Sequence, residues 1–127
     1  MTQYGKLNLL GMVAVPVAAG IASLASFGLN STSFITIVLM NCIAVLIAGL
    51  ISGLMLRKAN NGPAAWVALM PILIPSVWIS VWFLFRAVVP AAVAPGAEYI
   101  AAPQYHVMAV LLLTVVAFVL GFFVRSK

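Results

Sequence analysis

The chain has 127 residues, of which 66% are apolar and only 6% charged, against about 25% charged in an average soluble protein. A chain of this length forms one domain, and with so few polar groups it cannot cover a water-facing surface, so most of its solvent is hydrocarbon. The net charge of +5 comes from six Lys and Arg against a single acid, Glu98; no basic run is interleaved with aromatics, so nucleic acid is not an expected partner.

Crossing a hydrocarbon core of about 30 Å takes about 20 helical residues. Four apolar stretches reach that length, at residues 7–29, 34–56, 64–89 and 106–124. Unpaired backbone is not tolerated in lipid, so each is expected to be helical. The expected fold is an all-α integral membrane protein, a single domain over 1–127 folded as a four-transmembrane-helix bundle.

The first span follows Lys6 and carries small residues at Ala18, Ala22 and Ser26. A lysine, an apolar run and a cluster of small residues imitate a signal peptide, but the segment is long enough to cross a bilayer and is read as a retained span. It ends at the polar run Asn30-Ser31-Thr32-Ser33.

The second span contains a G-x-x-x-G pair, Gly49 and Gly53, with Ala48 and Ser52 on the adjoining ridge. Small residues at this spacing let two helix backbones approach closely. The expected partner is the Ala18–Ala22–Ser26 strip of the same chain, with a homodimer seam as the other option. Asn41 lies about one-third of the way along this span. It is expected either to make one hydrogen bond to a neighbouring helix, worth about 0.6–2 kcal/mol, or to contact a ligand or ion. Cys42 beside it is the single cysteine, so neither an intrachain disulfide nor a multi-cysteine metal site can form; it reads as an apolar filler.

The third span is the most distinctive. Pro71, Pro75, Trp78, Trp82 and Arg86 follow one another at four, three, four and four residues, which places them on one helical face. Two prolines four apart predict a kink, whose freed carbonyls fall to a neighbour, to Ser76 or Ser80, or to water. Arg86 is expected to stack on Trp82 one turn back. This face reads either as an aromatic belt, with Trp66 at one interface and Trp82 and Arg86 reaching for the other, or as the wall of a site closed by a cation. Such a site would suit a lipid headgroup or a quinone near Arg86.

Pro90, Pro95, Gly96 and Pro103 predict a non-helical, Pro/Ala-rich outer loop over about 90–105, with Tyr99 and Tyr105 at the membrane interface. His106 and Glu98 fall in this loop or at its border, so no span is expected to hold an interior histidine. His106 reads as an interfacial residue; with Glu98 and Tyr105 it makes at most half of a metal or quinone site.

Lys6, Arg57, Lys58, Arg125 and Lys127 all fall on one side of a four-span arrangement, and only Arg86 on the other. Excess cations mark the cytoplasmic side, so both termini are expected in the cytoplasm, most simply of a bacterial inner membrane. So strong a bias excludes assembly as antiparallel copies.

The sequence has no Asp, and its one Glu lies outside the spans. Paired-carboxylate, di-metal and intramembrane proton-antiport chemistry therefore have no residues to run on. Nor is there a phosphate-binding glycine loop, a C-x-x-C or a Ser-His-Asp set. No catalytic residue, metal or cofactor is expected, and the chain does not read as an enzyme. Two functions follow as expectations. One is a non-catalytic accessory or structural subunit of a larger redox, transport or secretion complex, a small immunity or regulatory protein being a variant of it. The other is a homo-oligomeric small transporter, channel or lipid-handling component that uses the kinked Pro/Trp face. The expected contacts are membrane lipids and other membrane subunits. The residues expected to meet ligand or lipid are Asn41, Trp78, Trp82 and Arg86; those expected to pack helices are Ala18, Ala22, Ala48, Gly49, Ser52 and Gly53.

Overall fold

The computed structural model describes residues 3–89 and 95–124, with backbone alone at 95–98 and 100. Its elements are all helices: α1 Gln3–Phe27, α2 Ser31–Lys58, α3 Gly62–Ala68, α4 Met70–Val88 and α5 Pro95–Val124. Four stretches are long and apolar enough to cross a membrane, namely α1, α2, α4 and the part of α5 from Ala101 onward. Membrane lipid as the surrounding solvent is consistent with the large apolar side chains that all four turn outward, among them Val17, Leu50, Val81 and Leu112.

The turns are built by the residues that local chemistry favours. α1 ends at Gly28, whose φ of +66° is open to glycine without strain, and its N–H donates to Leu24 O at 3.0 Å. Asn30 then caps α2, its side chain accepting from Ser33 N at 3.1 Å. The polar run that ends the first span thus supplies a cap and the first turn of the next helix. At the opposite end Asn61 caps α3, accepting from Ala64 N at 2.8 Å. Its amide nitrogen donates to Val124 O at 3.0 Å, and Tyr4 meets Trp66 edge-on at 5.7 Å. The start of α1, the α2–α3 turn and the end of α5 therefore share one end of the bundle.

The third span is interrupted at Leu69, two residues ahead of Pro71. Leu69 keeps helical backbone, at φ −82° and ψ −10°, and what interrupts the ladder is that Pro71 donates no hydrogen bond. The break is local: Leu69 N bonds Ala65 O at 3.1 Å, and Leu73 N returns to Leu69 O at 2.9 Å. Ser76 does not serve the freed carbonyls. Its hydroxyl donates instead to Gly11 O of α1 at 3.1 Å.

α1 packs between α2 and α4. On the α4 side a Cβ at Gly11 would sit 2.8 Å from Ile72 Cγ1. On the α2 side a Cβ at Gly49 would run into the Met12 side chain, and Asn8 Nδ2 donates to Gly49 O at 3.2 Å. The G-x-x-x-G pair does lie in an α1–α2 seam, as expected, but against a different strip. Gly49 meets Met12 and Gly53 meets Asn8, not Ala18, Ala22 and Ser26. The helices are antiparallel, so that strip lies toward the Gly28 turn while the glycines lie toward the termini. Ala18, Ala22, Ala48, Gly49 and Ser52 are buried and Gly53 is half-buried.

α5 begins at Pro95, and the expected non-helical loop is helical wherever it is described, over 95–105. Pro90 and residues 91–94 lie outside the described residues, as do Arg125 and Lys127 and the side chain of Glu98. Pro95 sits at the first helical position, where its missing N–H costs nothing, and Pro103 is accommodated inside the helix. The overriding contact is Tyr99. It is only 3% exposed, its ring stacked on Phe83 at 5.7 Å and edge-on to Phe27 at 5.3 Å.

Candidate functional site

α4 and α5 diverge into a lipid-facing groove of about 650 Å³. The space exists because Ala101, Ala102 and Ala109 of α5 stand opposite Pro75, Trp78 and Trp82 of α4. Small side chains on one wall and large ones on the other leave a slot that neither helix fills. Its polar atoms are few, and no charged side chain lines it.

The five residues expected on one face of the third span are covered unequally. Pro71 and Pro75 are buried and Trp82 and Arg86 half-buried, whereas Trp78 stands 74% exposed. Across the groove Tyr105 is 66% exposed. Trp82 is held edge-on by Phe83 at 5.0 Å and by Tyr99 at 5.8 Å. The expected Arg86–Trp82 stack is present, with the guanidinium 5.9 Å from the Trp82 ring and 5.4 Å from that of Phe85. Arg86 also donates to Val89 O at 3.5 Å.

Depth distinguishes Trp78 from the other two tryptophans. It lies ten residues before Val88, about 15 Å from that end of α4 at 1.5 Å per residue, which is close to the middle of a core about 30 Å thick. Trp66 and Trp82 lie nearer the two ends, towards the interfaces where tryptophan is enriched in membrane helices. The indole of Trp78 has no hydrogen-bond acceptor among the described residues.

Asn41 belongs elsewhere. It is fully buried and does not line the groove, so it forms no common site with Trp78, Trp82 and Arg86. Nor does it bond to a neighbouring helix: its Nδ2 donates to Ile37 O of α2 at 2.8 Å. The amide takes the carbonyl four residues back in its own helix, as polar side chains inside helices can.

Sequence reasoning missed two residues. Asn8, inside the expected first span but not singled out there, clamps the α1–α2 seam. His106 is not at a loop border but inside α5, fully enclosed. Tyr105 faces outward while His106 faces inward, so these two are not brought together, as neighbours in a helix do not face each other; the side chain of Glu98, the third member of the expected half-site, lies outside the described residues. Among the described residues no three His, Cys, Asp or Glu side chains come together. Compared with known proteins, the chain matches no family model, no curated protein and no solved structure.

Proposed function

We propose that this chain is a non-catalytic subunit of a larger membrane complex, seated on its partner through the α4–α5 groove. The observation that carries the reading is Trp78. A tryptophan gains from the membrane interface, where its N–H is wet, and gains nothing from standing 74% exposed at mid-depth in hydrocarbon. A helix of another subunit, laid along the groove, would cover the ring and offer an acceptor. The alanines of α5 would let that helix approach closely, as small residues do in membrane helix pairs. Burying aromatic anchors in this way is the usual source of interface affinity.

The reading includes an orientation. Lys6, Arg57 and Lys58 gather at the end of the bundle that carries the termini, so that end faces the cytoplasm, of a bacterial inner membrane. Whether the complex performs redox chemistry, transport or secretion is decided by the partner's residues.

A photo-crosslinking amino acid at position 78, in the chain's native membrane, is expected to capture one discrete protein of another sequence. The same group at Leu50, on the outward face of α2, is expected to capture lipid alone. If position 78 captured only lipid or a second copy of this chain, the subunit reading would be withdrawn. The second reading, a homo-oligomeric small transporter, channel or lipid-handling component, would then take its place. That reading rests on Arg86, held over Trp82 near the open end of the groove, where it would meet an anionic headgroup or a quinone.

A further inference from the structure

Several polar atoms are buried in the bundle with no partner among the described residues, including Ser23 Oγ, Ser52 Oγ, Asn41 Oδ1 and both ring nitrogens of His106. They are not equivalent. A serine hydroxyl in a helix can rotate onto the carbonyl four residues back. The imidazole of His106 has no such resort, and the amide of Asn41 has already spent its nitrogen on Ile37 O at 2.8 Å, which turns Oδ1 away from the backbone.

These two side chains lie at one level. α2 and α5 run in the same direction, tied at the end carrying the termini by the 3.0 Å bond from Asn61 to Val124 O. His106 is 18 residues before Val124, and Asn41 is 17 before Lys58 at the end of α2. At 1.5 Å per residue both sit about 26 Å from that end, within a fraction of a turn of each other. Both are on inward faces. Asn41 lies on the stripe of Ile37, Ala44, Val45 and Ala48, His106 on that of Ala102 and Val110, and both are 0% exposed.

The surroundings at this level are apolar. α1 is antiparallel to α2, with Gly20 opposite Val38 and Met12 opposite Gly49, which brings Ala18 and Ala19 level with Asn41. α4 follows α1 through Gly11 and Ile72, which brings Ile79 to the same height. Among the described residues no Asp, Glu, Lys or Arg stands at this level on any helix. The hydroxyls nearest this level are Ser80 and Ser76 on α4, the latter bonded to Gly11 O at 3.1 Å, and Ser23 about one turn along α1. An acceptor and an imidazole, both buried and both on inward faces, stand at one apolar level of the bundle, and a protein with no use for them would gain by replacing both with apolar groups.

We infer that Asn41 and His106 form a mid-membrane site for one hydrogen-bonding guest of the size of water. The water oxygen accepts from the imidazole N–H, and one water proton is donated to Asn41 Oδ1. The bond fixes which ring nitrogen carries the proton. The other nitrogen keeps its lone pair and is the one base at that depth among the described residues. The sequence marks Asn41 alone as a residue that could meet a ligand; the pairing is not announced, because His106 reads as part of a loop or its border.

The chain has a single histidine, so ring-¹⁵N labelling reports on this site alone. The full chain in lipid discs is examined by ¹⁵N NMR at neutral pH, with magnetisation transfer from water. The expected result is two separate ¹⁵N shifts of one neutral tautomer, with transfer from water to the ring. In Asn41→Leu the water transfer is expected to vanish and the tautomers to mix, while in Trp78→Ala, on the outer face, both signals stay as in the natural chain. A dry imidazole, or averaged tautomers, in the natural chain would overturn the site without reference to any variant. Water transfer and tautomer unchanged in a folded Asn41→Leu protein would overturn the part assigned to Asn41.

Discussion

Tyr99→Ala is expected to be among the most destabilising single substitutions in this chain, costing about 3–5 kcal/mol as large aromatic truncations in packed sites do. The ring fills the space between Phe27, Trp82 and Phe83, at 5.3, 5.8 and 5.7 Å. Its hydroxyl bonds Ser26 Oγ at 2.7 Å and reaches Ala22 O at 3.4 Å. These contacts join the start of α5 to α1 and α4, in a stretch where Pro95, Gly96 and Pro103 weaken the helix. Removing the ring should therefore loosen that stretch before the rest of the bundle. Hydrogen exchange in detergent or lipid discs checks this: amides of 96–105 should lose protection in Tyr99→Ala while those of α2 keep theirs. Tyr99→Phe removes only the hydroxyl and should cost about 1 kcal/mol. Equal protection of 96–105 in Tyr99→Ala would mean that the helix stands on its own propensity, against this account.

Gly49→Leu is expected to cost about 3 kcal/mol. A side chain at this position drives into Met12, an overpacking worth about 1–3 kcal/mol. Pushing the helices apart also strains the 3.2 Å bond from Asn8 to Gly49 O, worth about 1 kcal/mol. The steric part has a specific remedy: Met12→Ala makes room, so the double variant should be more stable than the sum of the two single effects predicts. Equilibrium unfolding in mixed detergent measures all three. Strict additivity would show that Gly49 and Met12 do not meet across the seam. At Gly53, where the nearest atom is Asn8 Nδ2 at 3.6 Å, alanine should be accommodated with little change.

The four spans could be read in the sequence because each is an apolar run of bilayer length, and lipid leaves such a run no alternative to a helix. The polar runs holding Asn30 and Asn61 could be read as turns for local reasons as well, whereas Gly28 was counted inside the first span. The Arg86–Trp82 stack followed from a four-residue spacing alone. The start of α5 could not be read. Its prolines and glycine are the strongest local breakers, and what overrides them is Tyr99, a contact with residues more than 70 positions away. Missing that helix also misplaced His106, since a residue assigned to a loop border cannot be recognised as interior. Asn41 was legible as a buried amide but not its bonding, because whether such a group turns to its own helix or to another depends on what the neighbouring helix offers at that height. The strip opposite Gly49 and Gly53 was missed for a geometrical reason: small residues were paired with small residues, whereas the antiparallel register sets Met12 and Asn8 against them.

The central claim, that the chain is a subunit seated through its α4–α5 groove, is tested most directly by native mass spectrometry of the protein extracted from its own membrane in mild detergent. The account predicts a reproducible mass containing this chain and a protein of different sequence, and its loss in a Trp78→Ala variant that still folds. A monomer, or a homo-oligomer whose mass is the same with and without Trp78, would contradict it.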